Sequence, residues 1–528
     1  MNTHKVKPSN QDVSYTKSFN FEKAQRGNYK DLTYNPVFRA SALFFVHVGD
    51  NIDTCVAFMN YWREKNSNDA VSAMVTLRDA EGQKVFRDYL ELNDCTYQFS
   101  VKELTDSVIF TGSLEVELFS FRDLKYSFPA LEVFYVTPEG VSCVHSNQRV
   151  FNSLEEIDQC SALNACQTGF DILCDEYYTG YITIVNGPKP IANSTLRIVF
   201  YNALGGTIRR STTLGDLPAY ASRLVVLNDI PGVLNFMNGQ PGFCKFDVDI
   251  YGVFARLACG SFALNGSRFA VTHSYYDCTT HYDYFDHSTI PDTEYHCFLP
   301  INLVSEIETE AVFYPIYSPA SLRFSIEVFS SQGELLHRIE NIGALDNTTT
   351  GTMARLNIRS ILGKYSIEMS DGLVCLDIRS DTGKIPARLT FGLNYFHDTL
   401  GTNINASIFI NESYGIRKRS YLWGSAYSSP SGKNYILISH LSKVKGITET
   451  ASLKVTLFNR QGSIIIKTID TRNATAINIR VEDWLLEAGY TASIGEILWY
   501  TLESDCPNFT AVQLHEDTSG FIGGDHSF

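Results

Sequence analysis

Thr76-Leu77-Arg78-Asp79-Ala80-Glu81-Gly82 is the end of an apolar strand followed by a polar turn that closes on glycine, and the phrase returns three times. The later copies are Val199-Phe200-Tyr201-Asn202-Ala203-Leu204-Gly205, Glu327-Val328-Phe329-Ser330-Ser331-Gln332-Gly333 and Thr456-Leu457-Phe458-Asn459-Arg460-Gln461-Gly462. The closing glycines stand 123, 128 and 129 residues apart. That interval is the length of one small domain, so the chain reads as one unit written four times.

A second phrase follows each copy at a nearly fixed delay: a short alternating strand running into one helical turn. It is found at Phe99 to Leu104, Leu224 to Ile230, Leu356 to Leu362 and Ile477 to Leu486, and the last two share Asn-Ile-Arg. Gly232, Gly363 and Gly489 close three of these segments, where a left-handed residue is expected to end the helical turn. Further apolar runs follow, such as Leu114 to Phe119, Leu131 to Val136, Cys244 to Ile250 and Arg388 to Leu393, separated by turn formers such as Asn265-Gly266. Seven or eight short strands per unit bury their apolar faces by folding into two packed sheets.

The expected fold is therefore all-β: four tandem β-sandwich modules of about 110–130 residues each. The boundaries are drawn as an N-terminal extension over 1–36, then modules over 37–165, 166–290, 291–402 and 403–528. Parallel sheets would require long crossover helices, and the best helical pattern, Leu154 to Cys166, is placed between modules.

Composition limits the functional classes. A net charge of −15 disfavours nucleic acid and anionic membranes, which call for a concentrated basic surface. No apolar stretch has the length of a membrane span, and the polar start of the chain lacks a secretory layout, so a cytoplasmic location is expected. Twelve cysteines occur without repeating from module to module and without a Cys-x-x-Cys pair, which reads as buried reduced thiols. Ser429-Pro430-Ser431-Gly432-Lys433 lacks the first glycine and the hydroxyl residue of a phosphate loop, and Asp247 to Gly252 has Tyr251 where a calcium ligand belongs. Nucleophile elbows, dinucleotide fingerprints and metalloprotease helices are missing from the sequence.

Histidine carries the remaining signal. His145, His273, His397 and His515 follow a late strand of each unit, at separations of 128, 124 and 118 residues, with the correspondence firm only between His145 and His273. His followed by Ser or Asp orders a turn through hydrogen bonds to nearby backbone. The functional reading gives each module a polar pocket at one sandwich end, with His145, Arg149, Tyr275, Tyr276 and His515 as ligand-binding residues. Tyrosine faces flanked by Asp, Asn and His suit sugars, so a carbohydrate or a protein is the expected partner. The C-terminal His526-Ser527 repeats the His-Ser pairs of the first two modules.

The segment from 273 to 297 is rich in His, Asp and Tyr. Imidazole and carboxylate together match Zn²⁺, Mn²⁺ or Fe²⁺, and His273, Asp277, His281 and His287 form the candidate ligand set. The sequence thus supports a non-enzymatic multi-module protein that binds or organises a carbohydrate or protein partner through strand-end loops. The alternatives are a metal-dependent hydrolase or sugar-modifying enzyme centred on the 273–297 loop, and a structural assembly subunit.

Overall fold

The computed structural model describes residues 37–105, 107–122, 124, 131–145, 148–150, 161–252, 254–276, 284–286, 297–314, 320–346, 353–386, 389–408, 419–443 and 449–527. Four β-sandwiches follow one another, and all four have the same topology. In the first, the eight strands are Phe38–Val48, Asp53–Met59, Val71–Asp79, Lys84–Glu91, Thr96–Ser100, Phe110–Ser120, Leu131–Thr137 and Gly140–Val144, with the helical turn Val101–Thr105 after the fifth. Numbering strands by their order within a module, one sheet has the order 1-6-3-4 and the other 5-2-7-8, antiparallel throughout. The order recurs in the other three modules, the second adding Tyr275–Tyr276 beside its first strand.

The repeated phrase is the turn between strands three and four. Asp79 takes the backbone N–H groups of Glu81 and Gln83 on Oδ1 at 3.0 and 2.8 Å. Asn202 does the same for Leu204 and Gly206, Ser330 for Gln332 and Glu334, and Asn459 for Gln461 and Gly462. A short polar side chain here replaces the backbone partners that a tight turn loses. Glycine follows three residues later with φ of 78°, 77°, 80° and 153°, a region costly for any side chain. The second phrase is the fifth strand and its helical turn, seen again in Ile358–Lys364 and Val481–Glu487.

The structure departs from these expectations at several points. Gly489 closes its helix at φ 66°, but Gly363 lies inside Ile358–Lys364 and the left-handed position is taken by Ser366 at φ 56°. Gly232, at φ 81°, precedes a second helical turn, Val233–Met237, rather than ending the segment. The helical pattern placed over Leu154 to Cys166 is strand in its described half, because Ser161–Ile172 pairs along Gly242–Gly252. That strand also crosses the boundary drawn at 165, and Thr402–Ile408 crosses the one at 402.

Each module buries the alternating residues of its two sheets against each other, for example Leu196, Ile198, Phe246 and Val248 of one sheet with Ile182, Ile184 and Cys259 of the other in the second. Nine cysteines, among them Cys55, Cys143, Cys244 and Cys375, are seen to be buried, as expected of reduced thiols. The fourth strand is an edge in every module; in the first two it carries many exposed polar residues, over Lys84–Glu91 and Thr207–Leu217, which blunts edge-to-edge pairing, whereas Leu335, Leu336 and Ile466 stand exposed on it in the third and fourth. No helix among the described residues is long and apolar enough to cross a membrane.

The modules close on themselves. The 1-6-3-4 sheet of each packs on the 5-2-7-8 sheet of the next. Leu43 and Phe45 meet Val185 and Leu224, Tyr201 and Phe243 meet Val312 and Tyr314, and Phe298 and Phe329 meet Leu441 and Ala474. Trp423 of the fourth module then stacks on Tyr61 of the first with centroids 5.7 Å apart. The turn of the repeated phrase reinforces three junctions. Ser222 N donates to Ala80 O at 2.9 Å and Cys95 N to Arg460 O at 2.9 Å, and Gly333 lies so close to Asn473 O that a Cβ would stand 2.5 Å from it.

At the centre the four eighth strands, Gly140–Val144, Phe269–His273, Thr402–Ile408 and Ile522–His526, lean on one another. Polar groups stitch every neighbouring pair. Val271 N donates to Ser142 Oγ at 2.8 Å, Asn405 Nδ2 to His273 O at 3.0 Å, Thr402 Oγ1 to Gly524 O at 2.9 Å and His145 N to Asp525 Oδ2 at 2.8 Å. One mouth of this hub is tied by Arg268, which bonds Glu139, Asp398 and Ser519 O, so that one guanidinium from the second module reaches the other three.

Candidate functional site

The junction between modules two and three holds a cleft of ≈ 250 Å³. Its floor is the 5-2-7-8 sheet of the third module, where Glu310, Asn394 and Asn403 stand directly opposite one another on three neighbouring strands. Strand alternation turns all three outward, away from the apolar positions packed inside. Arg355 joins them from the fifth strand, and Asp171 faces them from the first strand of module two.

Arg355 grips Asp171 in a two-pronged pair, Nη1 to Oδ1 at 2.8 Å and Nη2 to Oδ2 at 2.7 Å, and its Nη2 also donates to Glu310 Oε2 at 3.0 Å. Asn394 Nδ2 donates to the same two carboxylates at 3.0 and 3.3 Å, and Asn403 Nδ2 donates to Asn394 Oδ1 at 2.6 Å and Tyr314 Oη at 3.0 Å. Burial pushes the Glu310 carboxyl above the usual carboxylate range, against the pull of Arg355. The two adjacent carboxylates hold Arg355 more firmly charged than a free guanidinium, outweighing its own burial. Phe396 and Leu400 supply an apolar wall. The arrangement offers fixed donors and acceptors beside an aromatic face, which is the chemistry of binding hydroxyl groups.

Of the residues singled out from sequence, the structure joins His145 and His273 at the hub, 4.8 Å apart and edge to face, together with His526. Both of the first pair are buried rather than displayed on a loop. Arg149 is buried as well, its guanidinium 3.9 Å over Phe254. Tyr275 and Tyr276 form a two-residue strand against Thr168 and Gln167. Asp277, His281 and His287 lie outside the described residues.

His515 sits inside the fourth module, with Nδ1 on Asn434 Oδ1 at 3.1 Å and its ring edge-on to Tyr427. Burial lowers its pKa to about 4, from an ordinary value of 6.5. The folded imidazole therefore stays neutral where the unfolded one takes a proton. Its contribution to stability is whole above pH 6.5 and is lost as pH falls towards 4, about 3 kcal/mol over that window. Urea titrations between pH 7 and 4 should show this loss, and His515→Asn should flatten the slope; an unchanged slope would contradict it.

Asp171, Glu310, Arg355, Asn394 and Asn403 were not picked out by sequence. Their only signature there is polar residues at alternate positions of strands, as in Glu308-Thr309-Glu310, which also describes any solvated sheet face.

No protein-family model matches the chain, and no curated protein matches it. Among solved structures, similarity is found to Escherichia coli alpha-2-macroglobulin activated by porcine elastase, 9% identical over 94% of this chain and 46% of that one, with a TM-score of 0.12. The chain thus spans about half the length of that protein. A tetra-tandem repeat from the extending region of a large adhesion protein is also 9% identical, over 92% and 98% of the two chains, with a TM-score of 0.08. Superpositions this loose carry no argument.

Proposed function

We propose that the chain is a non-enzymatic binding protein that takes a carbohydrate in the cleft between modules two and three. The single observation behind this reading is the row Glu310, Asn394 and Asn403, held by Arg355 and Asp171, beside Phe396. Sugar hydroxyls pair with carboxylate and amide oxygens and amide N–H groups, while the apolar face of a pyranose covers an aromatic ring. The volume suits one or two sugar rings rather than a protein surface. The carboxylates are mutually fixed by one arginine, an arrangement that orients acceptors but offers no separate acid and nucleophile, which favours binding over hydrolysis.

The test is an array of neutral and acidic oligosaccharides, followed by calorimetry with those retained. Asn394→Ala should weaken the best of them at least tenfold, since it removes a donor to both carboxylates and an acceptor from Asn403. Retention of no oligosaccharide on the array, or equal affinity in the variant, would overturn the reading.

A further inference from the structure

We propose that His145, His273 and His526 form a metal site at the hub, binding a borderline divalent cation such as Zn²⁺ or Co²⁺ across modules one, two and four. One ring nitrogen of each lies within 4.8 Å of the others, and the rings meet edge to face at centroid distances of 4.8, 4.6 and 6.3 Å. Around a tetrahedral ion with bonds of about 2.0–2.1 Å, ligand nitrogens stand about 3.4 Å apart, so closing the site takes a movement of about 1 Å per ring.

Which nitrogen faces inward is set by what holds the other. His145 Nδ1 donates to Asp525 Oδ2 at 2.7 Å, His273 Nδ1 to Ser274 O at 3.0 Å and His526 Nδ1 to Ser527 O at 3.0 Å. An outer acceptor on Nδ1, carboxylate or carbonyl, fixes the tautomer that presents Nε2 to a metal and makes that nitrogen a better donor. All three histidines have such an acceptor. In two of them it is the carbonyl of the serine that follows, which gives the repeated His-Ser pair a physical role. Asp525 does further work: its Oδ1 takes His526 N at 2.8 Å and its Oδ2 takes His145 N, so one buried carboxylate sets two of the ligands and supplies negative charge beneath the cation.

One contact opposes metal binding. Arg256 Nη1 lies 3.3 Å from His145 Nε2, where it donates to the lone pair a cation would use, and its positive charge repels a cation. Arg256 is only partly buried, with its guanidinium 5.4 Å over Phe254, and it must withdraw when the site fills. Three imidazole ligands leave a fourth position for water, the open pattern of a three-ligand site. This site is separate from the 273–297 loop set, from which it takes only His273.

The test uses the full chain stripped with EDTA and titrated with Co²⁺. Saturation at one equivalent, with visible d–d bands of tetrahedral or five-coordinate intensity, is expected. His526→Gln should weaken binding at least thirtyfold with an unchanged circular dichroism spectrum. Arg256→Gln should tighten it at least fivefold, a gain that a purely structural role for the cluster would not produce. Failure to saturate below millimolar Co²⁺ in both the native chain and Arg256→Gln, or affinity in His526→Gln equal to that of the native chain, would overturn the assignment.

Discussion

Gly523→Val is expected to detach the last strand from the hub and destabilise the fourth module by more than about 3 kcal/mol. A Cβ at this position would fall on the carbonyl oxygen of Val141 and stand 2.7 Å from Ser142 Cα. Both obstacles are backbone of the first module, so no side chain can rotate out of the way. The strand must retreat, and with it go the His145–Asp525 and Thr402–Gly524 bonds on either flank. The expected readout is an early urea transition together with new proteolytic cleavage between 517 and 527. Gly363→Ala serves as the matched control. It has open space around it and an ordinary helical conformation, so alanine should stabilise by about 0.5–1 kcal/mol through helix propensity and the unfolded state. Equal behaviour of the two variants would refute the close approach at the hub.

The second large effect comes from Glu132, which is fully buried where modules one and four meet. Its carboxyl is bonded by Ser425 Oγ and by Gln513 Nε2, the latter at 2.9 Å. Burial pushes its pKa up to about 8, the two hydrogen bonds pulling the other way and the charge of Asp525 adding to the rise. A carboxyl whose folded pKa exceeds its unfolded value of 4.5 keeps its proton in the native state after the unfolded chain has lost it. Stability is therefore whole below pH 4.5, falls as pH climbs to about 8, and is flat beyond. The loss over that window is about 5 kcal/mol. Glu132→Gln keeps a neutral group of the same shape, with an amide able to donate to Ser425 and a carbonyl able to accept from Gln513. It should match the native chain within about 1 kcal/mol at pH 5 and exceed it by several kcal/mol at pH 9. Parallel urea curves at the two pH values decide the matter; a constant difference between the proteins would show that Glu132 does not titrate in this range.

What was legible in the sequence is what each module repeats for itself. A polar residue three before glycine recurs because each turn must satisfy its own backbone, and Asp79, Asn202, Ser330 and Asn459 all do so by accepting the N–H two residues on. Strand alternation recurs because each sandwich needs its own core. Junctions between modules have no such period. Leu43 and Phe45, Tyr201 and Phe243, and Trp423 perform the same task with different residues, so nothing in one copy announces its counterpart. The cleft is hidden for the same reason: Arg355 and Asp171 are 184 residues apart, and their pairing depends on how two modules dock. The histidines were half legible. The match between His145 and His273 reflected a shared strand end, but that this end faces the centre, and that His526 joins them, follows only from closure of the ring.

Closure has a consequence for how such a chain can change in length. In stacked solenoids each added repeat offers its outer face to the next, so copies are gained and lost freely. Here every module turns the chain by the same sense, and the fourth returns to the first, so its front and back are both already spoken for. A fifth sandwich would have no free face within the ring, and a chain of three would leave Phe298 and Phe329 uncovered at one end and Tyr61 at the other, apolar faces shaped for the missing module rather than for each other. The count of four is thus a geometric eigenvalue of the interface rather than a stage in open-ended growth.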